Sequence, residues 1–153
     1  MGCRKRFCGV KGCSAMGQKH TEVEQTLQQR LIEAAKLAMD NAYVPYSQFR
    51  VGAAVLTDDG SIYSGCNVEN VSYGLTNCAE RTAVFKAVSE GAHRVQAVAI
   101  VGDTEQPIAP CGACRQVLAE FADSQTPVYL VSATGQVKHC TLEELLPYAF
   151  RQL

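Results

Sequence analysis

Residues 95–101 read Val-Gln-Ala-Val-Ala-Ile-Val, an almost unbroken apolar run. A run of this kind is typical of a β-strand that is covered on both faces. Apolar residues at helical spacing lie on both sides of it, at 79–88 and at 117–121, and further short strands are predicted at 49–56, 61–66, 128–131 and 137–140. Strands that alternate with helices indicate an α/β domain, with a central mixed sheet of about five strands between helices in a three-layer sandwich.

The two ends of the chain differ in charge and pattern. Residues 1–20 carry five basic and no acidic residues and show no periodicity, whereas residues 21–153 carry 9 basic and 15 acidic residues. Helical spacing of apolar residues begins at Thr21 and ends before Pro45, and residues 142–150 predict a terminal helical turn or two. We therefore predict a basic disordered extension over residues 1–20 and one folded domain over residues 21–153.

The composition excludes several classes of protein. Apolar residues make up 47% and charged residues 19%, so the chain can bury a core, and a net charge of −1 argues against binding a nucleic-acid polymer. No apolar run approaches the roughly 20 residues of a membrane span. No secretory signal precedes the eight cysteines, which favours a reducing cytoplasm and metal-binding or catalytic thiols. Arg4-Lys5-Arg6 could serve nuclear access, although a solvated tail is the plainer interpretation.

Two short motifs carry the chemistry, Cys78-Ala79-Glu80 and Pro110-Cys111-Gly112-Ala113-Cys114, and both open a predicted helix. The spacing of Cys111 and Cys114 brings both sulfurs to one side of a helix, and a helix N-terminus favours thiolates. If Cys78 joins them, the three sulfurs form most of a tetrahedral zinc site.

The fourth position of such a site separates structural from catalytic zinc. Candidates for a fourth protein ligand are Cys66, His93, His139 and Cys140, none of which has finger-like spacing from the three cysteines. Taken alone, Cys111-x-x-Cys114 also allows a redox pair or half of a structural zinc ribbon.

Three acidic or amide side chains complete the candidate site. Glu80 follows Cys78 by two residues and suits a carboxylate beside a metal-activated water. Asn67 and Glu69 are two residues apart on an extended segment, so their side chains point to the same side. A carboxylate and an amide together suit a ribose hydroxyl, although spacing alone also fits an idle pair at a strand end.

With these motifs the sequence resembles the cytidine deaminases, small zinc enzymes that act on free nucleosides. The resemblance covers residues 22–150 and includes 49–54 (Phe-Arg-Val-Gly-Ala-Ala), 65–70 (Gly-Cys-Asn-Val-Glu-Asn) and 73–77 (Tyr-Gly-Leu-Thr-Asn). A cysteine as first ligand resembles the small-subunit, homotetrameric branch. The resemblance implies that residues 21–153 form a hydrolase domain that converts cytidine and deoxycytidine to uridine and deoxyuridine with release of ammonia, in pyrimidine salvage. It further implies one Zn²⁺ per subunit, held by Cys78, Cys111 and Cys114, and Glu80 as the proton carrier.

The resemblance also implies roles for residues around the metal. Arg81 would donate hydrogen bonds to a cysteine sulfur, the alternative being an exposed helix residue that pairs with an acid. Residues 67–73, including Asn70 and Tyr73, would bind the sugar, and the N–H of Ala79 would bind the base carbonyl. Phe49 would stack on the pyrimidine or pack in the core. Tyr73 and Phe150 would reach a neighbouring subunit's site, although the ending Arg151-Gln152-Leu153 departs from the family.

Two competing functions remain open. One is a deaminase of another aminopyrimidine nucleoside, such as a nucleoside antibiotic, which turnover assays would separate from a cytidine deaminase. The other is a non-catalytic structural-zinc module, which requires four protein ligands on the metal.

Overall fold

The computed structural model describes the backbone of residues 15–151 and the side chains from residue 26 onward. The first part of the predicted extension, with Cys3, Cys8, Cys13 and the basic segment Arg4–Arg6, lies outside the described residues. The described elements, in chain order, are α1 (Ala15–Met39), β1 (Val51–Thr57), β2 (Ile62–Cys66), a 3-10 helix (Tyr73–Leu75), α2 (Ala79–Ser89), β3 (Val95–Gly102), α3 (Gly112–Phe121), β4 (Pro127–Val131), β5 (Val137–Thr141) and α4 (Leu142–Leu145).

These elements confirm the α/β prediction. The five strands form one sheet in the order β2-β1-β3-β4-β5. The β3–β4 pair is parallel and the other three pairs are antiparallel, so the sheet is mixed. The parallel pair is joined through α3, because a parallel connection has to cross back over the face of the sheet.

Helices cover both faces of the sheet. Side chains alternate along β1, so that Ala53 and Val55 join one apolar cluster and Ala54 and Leu56 join the other. The first cluster contains buried apolar residues from α2, α3 and α4, and the second contains buried apolar residues from α1. The result is the three-layer sandwich that the sequence predicts.

Helix α1 lies very close to β1, and a glycine makes this possible. A Cβ atom at Gly52 would overlap the carbonyl oxygen of Ala35 and lie 2.7 Å from the backbone nitrogen of Met39. Any side chain at position 52 would therefore push α1 away from the sheet.

The start of α1 differs from the prediction. The helix begins at Ala15 rather than Thr21, so residues 15–20, which the sequence assigns to the disordered extension, are helical. Ala15, Met16, Gln18 and Lys19 have high intrinsic helix propensity, and adding residues to an existing helix costs much less than starting one.

The layers bring two helix N-termini together. Helix α2 precedes β3 in the chain and α3 follows it, and their first turns begin at Ala79 and Gly112. No helix in the described part of the chain has the length and apolar character needed to cross a membrane.

Candidate active site

The three predicted ligand cysteines lie together at these two helix starts. Cys78 and Cys111 are the N-cap residues of α2 and α3 in extended backbone conformation, and Cys114 lies in the first turn of α3. The Sγ atoms of Cys78 and Cys111 are 3.9 Å apart, and those of Cys111 and Cys114 are 3.5 Å apart. All three ligand atoms lie within 4.8 Å of one another.

A fourth protein ligand is not found among the described side chains. The cluster of His, Cys, Asp and Glu side chains with metal-binding geometry consists of the three cysteines only. The four candidates for a fourth position are outside it, and two of them, His93 and His139, are exposed. The described part of the chain therefore leaves one position of a tetrahedral site for a non-protein ligand.

The environment of the cluster favours negative charge on sulfur. Hydrogen bonding from Cys114, followed by that from Arg81, lowers the pKa of Cys78 to about 5. Nη2 of Arg81 lies 3.5 Å from Sγ of Cys78 and 3.4 Å from the carbonyl oxygen of Thr76. The Arg81 side chain therefore lies against the cysteine sulfur and is not an exposed residue paired with an acid. A set of converging thiols with a thiolate-stabilising arginine is a donor set that fits Zn²⁺.

Glu80 lies next to this cluster and is 5% exposed. Burial raises the pKa of its carboxyl above the usual range, and the neighbouring Cys78 raises it further. Both residues line a cavity of about 310 Å³, large enough for part of a small organic molecule. A carboxyl with a raised pKa beside a metal site can hold a proton and pass it on.

Asn67 and Glu69 lie on another wall of the cavity. Both are buried whereas Val68 between them is 43% exposed, as expected for an extended segment. This segment is paired with Tyr43 on one side and Asn77 on the other. The predicted orientation of the two side chains toward one side is therefore the one in the structure.

The Asn67 amide also holds the backbone of the neighbouring wall. Its Oδ1 accepts a hydrogen bond from the Val51 N–H at 2.9 Å, and its Nδ2 donates to the Phe49 carbonyl at 2.8 Å. Phe49 itself lines the cavity and is 38% exposed, so it does not pack in the core.

Ser47 is a cavity residue that the sequence patterns do not indicate. The Ser47 side chain lowers the pKa of the Glu69 carboxyl, and so do the N–H groups of Tyr46 and Ser47, which donate to Oε2 of Glu69 at 2.9 and 3.2 Å. The Ser47 Oγ also accepts from the Phe49 N–H at 3.0 Å. The other cavity-lining residues outside the predicted set are Val51, Thr76, Ile108 and Ala109. Thr76, Ile108 and Ala109 lie within two residues of the two cysteine motifs in the chain, and this proximity is the sequence signal that indicates them.

Ala79, the first residue of α2, completes the predicted set that lines the cavity. Its N–H has no acceptor within the helix, because the first N–H groups of a helix point out of its end. It can therefore bind an acceptor atom of a ligand in the cavity.

Three residues that were predicted to contact the substrate or a neighbouring subunit's site do not line this cavity. The Asn70 Oδ1 turns back to accept from the Ser72 N–H at 2.9 Å. Tyr73, in the 3-10 helix, is 69% exposed and contacts the ring of Tyr46 edge to face. Phe150 is 78% exposed, and only its carbonyl has a described partner, Nε2 of Gln116.

Comparison with known proteins gives a consistent result. Residues 25–130 match the family model described as "Cytidine and deoxycytidylate deaminase zinc-binding region". The chain is 57% identical over 122 residues to a cytidine deaminase of Sporosarcina psychrophila, covering 80% of this chain and 90% of that protein. The crystal structure of a cytidine deaminase from Burkholderia pseudomallei superposes with a TM-score of 0.77 at 53% identity, covering 80% of this chain and 98% of the other.

A more distant relative bears on the alternative substrate. A blasticidin-S deaminase of Bacillus cereus is 27% identical over 134 residues, covering 81% of this chain and 94% of that protein. Its lower identity places the chain closer to the relatives named cytidine deaminase.

The zinc-binding region of the family model spans all three ligand cysteines, and their sulfurs converge in the structure, so this cluster binds one Zn²⁺ ion. With a family match over most of its length and relatives above half identity, the chain belongs to the cytidine deaminase family.

Proposed function

We propose that the protein catalyses the hydrolytic deamination of free cytidine and deoxycytidine to uridine and deoxyuridine, with release of ammonia. One observation carries the proposal: the buried carboxyl of Glu80 and the sulfur of Cys78 line the same cavity. This arrangement places a proton carrier and a metal site against one bound substrate.

Glu80 carries out the proton transfers in this reaction. When bound by the three cysteines, zinc supplies a Lewis acid that activates water for attack. Glu80 accepts a proton from the attacking water and delivers it to the ring nitrogen next to the carbon that bears the amine. Glu80 then takes the second proton, from the hydroxyl now bonded to that carbon, and gives it to the amine as the carbon–nitrogen bond breaks, so one buried carboxyl carries both protons.

The cavity walls orient the nucleoside. The Asn67 and Glu69 side chains bind the ribose, since a carboxylate accepts and an amide donates to its hydroxyls. The ring of Phe49 stacks on the pyrimidine, and the Ala79 N–H binds the base carbonyl. Asn70, whose side chain bonds to Ser72, supports the sugar-binding segment from its exposed side.

The test is turnover of cytidine by the purified full chain, followed by uridine and ammonia release. We expect turnover that disappears on zinc chelation and returns on zinc addition. Cys111→Ser removes a ligand and should lose both zinc and turnover. Cys66→Ser, outside the metal cluster, is the matched control and should retain both. No turnover by a protein that contains zinc would contradict the proposal.

Blasticidin S is the second substrate to assay, because the relative from Bacillus cereus carries that name. We expect a higher kcat/KM for cytidine and deoxycytidine than for the antibiotic. Preferential deamination of the antibiotic would replace the proposed substrate with this second one.

We infer also that the enzyme works as a homotetramer in the cytoplasm, in pyrimidine salvage. Val71, Tyr73 and Leu75 are 79%, 69% and 71% exposed in one segment beside the site, an unusual concentration of apolar surface for a free monomer. Tyr73 and Phe150 would then reach a neighbouring subunit's site. Light scattering should give four times the 16.5 kDa mass of one chain, and a monomeric active enzyme would contradict the inference.

A further inference from the structure

Cys111 has the least packing of the three zinc ligands. Cys114 is buried and Cys78 is half-buried with Arg81 against its sulfur, whereas Cys111 is exposed. Its described side-chain contacts are the two other sulfurs. Its position therefore depends on its backbone more than on neighbours of its side chain.

Arg115 holds that backbone on both sides of Cys111. Nε of the Arg115 guanidinium donates to the Pro110 carbonyl at 2.8 Å, and the Arg115 backbone N–H donates to the Cys111 carbonyl at 3.0 Å. Pro110 is fully buried, so its carbonyl would otherwise lose a hydrogen bond that water cannot easily replace.

The same guanidinium also connects this loop to the end of α4. Nη1 of Arg115 donates to the carbonyl of Leu145, the last residue of α4, at 2.6 Å. A guanidinium can bridge two carbonyls because its donors are held rigidly in one plane. Lysine, with one flexible ammonium group, cannot reproduce both bonds in the same geometry.

We propose that Arg115 is a positioning residue for the zinc site, which holds the Pro110–Cys111 backbone against α4 and thereby keeps the Cys111 sulfur at the metal. The inference rests on the three-cysteine zinc site and not on the reaction proposed for it. Its test therefore measures how well the protein retains zinc. The Arg115 proposal can fail while the protein deaminates cytidine, and the deaminase proposal can fail while Arg115 is needed to retain zinc.

Arg151, which follows α4 in the chain, provides a matched control because its side chain binds the other end of α3. Its Nη1 donates to the carbonyls of Ala119 and Ala122, at 3.1 and 3.0 Å, at the opposite end of α3 from the metal. Replacing either arginine with methionine removes two side-chain bonds to backbone carbonyls. Only Arg115→Met removes a bond next to a zinc ligand.

The experiment measures the rate of zinc release from the holoenzyme to a chromogenic chelator, with thermal unfolding of each variant recorded beside it. We expect Arg115→Met to release zinc about 10 times faster than the unaltered protein or more, the usual effect of losing a residue that orients a metal ligand. Arg151→Met should release zinc within about twofold of the unaltered protein, even if both variants lose similar stability.

Equal release rates for Arg115→Met and the unaltered protein would overturn the proposal, and so would equally fast release from Arg151→Met. If Arg115→Met does not fold, Arg115→Lys provides the test, because it keeps the charge and the reach to one carbonyl. We expect its release rate to exceed that of Arg151→Met, and a rate equal to that of the unaltered protein would again overturn the role.

Discussion

Replacing Asn67 with alanine tests whether this side chain, for which we propose a role in sugar binding, also stabilises the fold. The substitution removes two hydrogen bonds, from the Val51 N–H at 2.9 Å and to the Phe49 carbonyl at 2.8 Å. Val51 is only 6% exposed, so its N–H would lose its partner in a place that water reaches poorly. Phe49 is 38% exposed, and its carbonyl can be hydrated instead.

These two environments set the expected size of the effect. An unsatisfied buried donor costs about 1–3 kcal/mol and the second bond about 0.5–1.5 kcal/mol, so Asn67→Ala should lower the free energy of unfolding by about 2–4 kcal/mol. Asn70→Ala is the control in the same segment. It removes one described bond on an exposed turn, to the Ser72 N–H, and should cost about 1 kcal/mol or less.

Urea unfolding followed by circular dichroism measures both variants, at one protein concentration because association adds to apparent stability. We expect the midpoint of Asn67→Ala to fall well below that of Asn70→Ala with an unchanged slope. A destabilisation no larger than that of Asn70→Ala would refute the structural role of Asn67.

Three further substitutions test proton transfer, zinc binding and substrate binding one at a time. Glu80→Gln should retain zinc but lower kcat by about 100-fold to 10,000-fold, because the proton carrier is lost; near-normal turnover would exclude that role. Arg81→Gln should weaken zinc binding by about 10-fold to 100-fold in chelator competition, since the bond to the Cys78 sulfur disappears; unchanged zinc affinity and turnover would contradict it. Ser47→Ala should raise KM for cytidine by about tenfold with kcat little changed, because it removes the hydroxyl that accepts from the Phe49 N–H and lowers the pKa of Glu69. Ser47→Thr, which keeps the hydroxyl, should restore KM. If Ser47→Ala lowers kcat and leaves KM unchanged, the proposed role of Ser47 in substrate binding is contradicted.

The sheet was predictable because its strongest signals are local. The run at 95–101 became β3, and the four other predicted strands became the rest of the sheet, each within one or two residues of its predicted ends. The early start of α1 could not be predicted in this way. The glycines and basic residues that indicate disorder are interspersed there with residues that favour helix.

The zinc ligands were predictable for a similar reason. A helix start supplies an N-terminal partial charge wherever it occurs, and three-residue spacing within α3 places Cys111 and Cys114 on one side. Bringing Cys78 to them needs the packing of α2 beside α3, which periodicity does not specify. The resemblance to a family supplied that step.

The contacts that hold the site residues in place escaped prediction because they are made to the backbone of distant segments. Asn67 bonds to backbone atoms 16 and 18 residues away, and Arg115 bonds to a carbonyl 30 residues away. Every residue type except proline offers the same N–H and C=O groups, so no pattern of residue types identifies these partners.

This type of contact has a consequence for substitution. Where a side chain binds a backbone atom, the hydrogen bond depends on the residue type of only one of the two partners. The side chain of Leu145 can therefore change without removing the acceptor of Arg115, provided that its buried volume is preserved, as in Leu145→Met. Replacing Arg115 removes the interaction altogether. The residues that shape this site from outside are thus found by following hydrogen bonds from the ligands outward, from Cys111 to Arg115 and from Glu69 to Ser47.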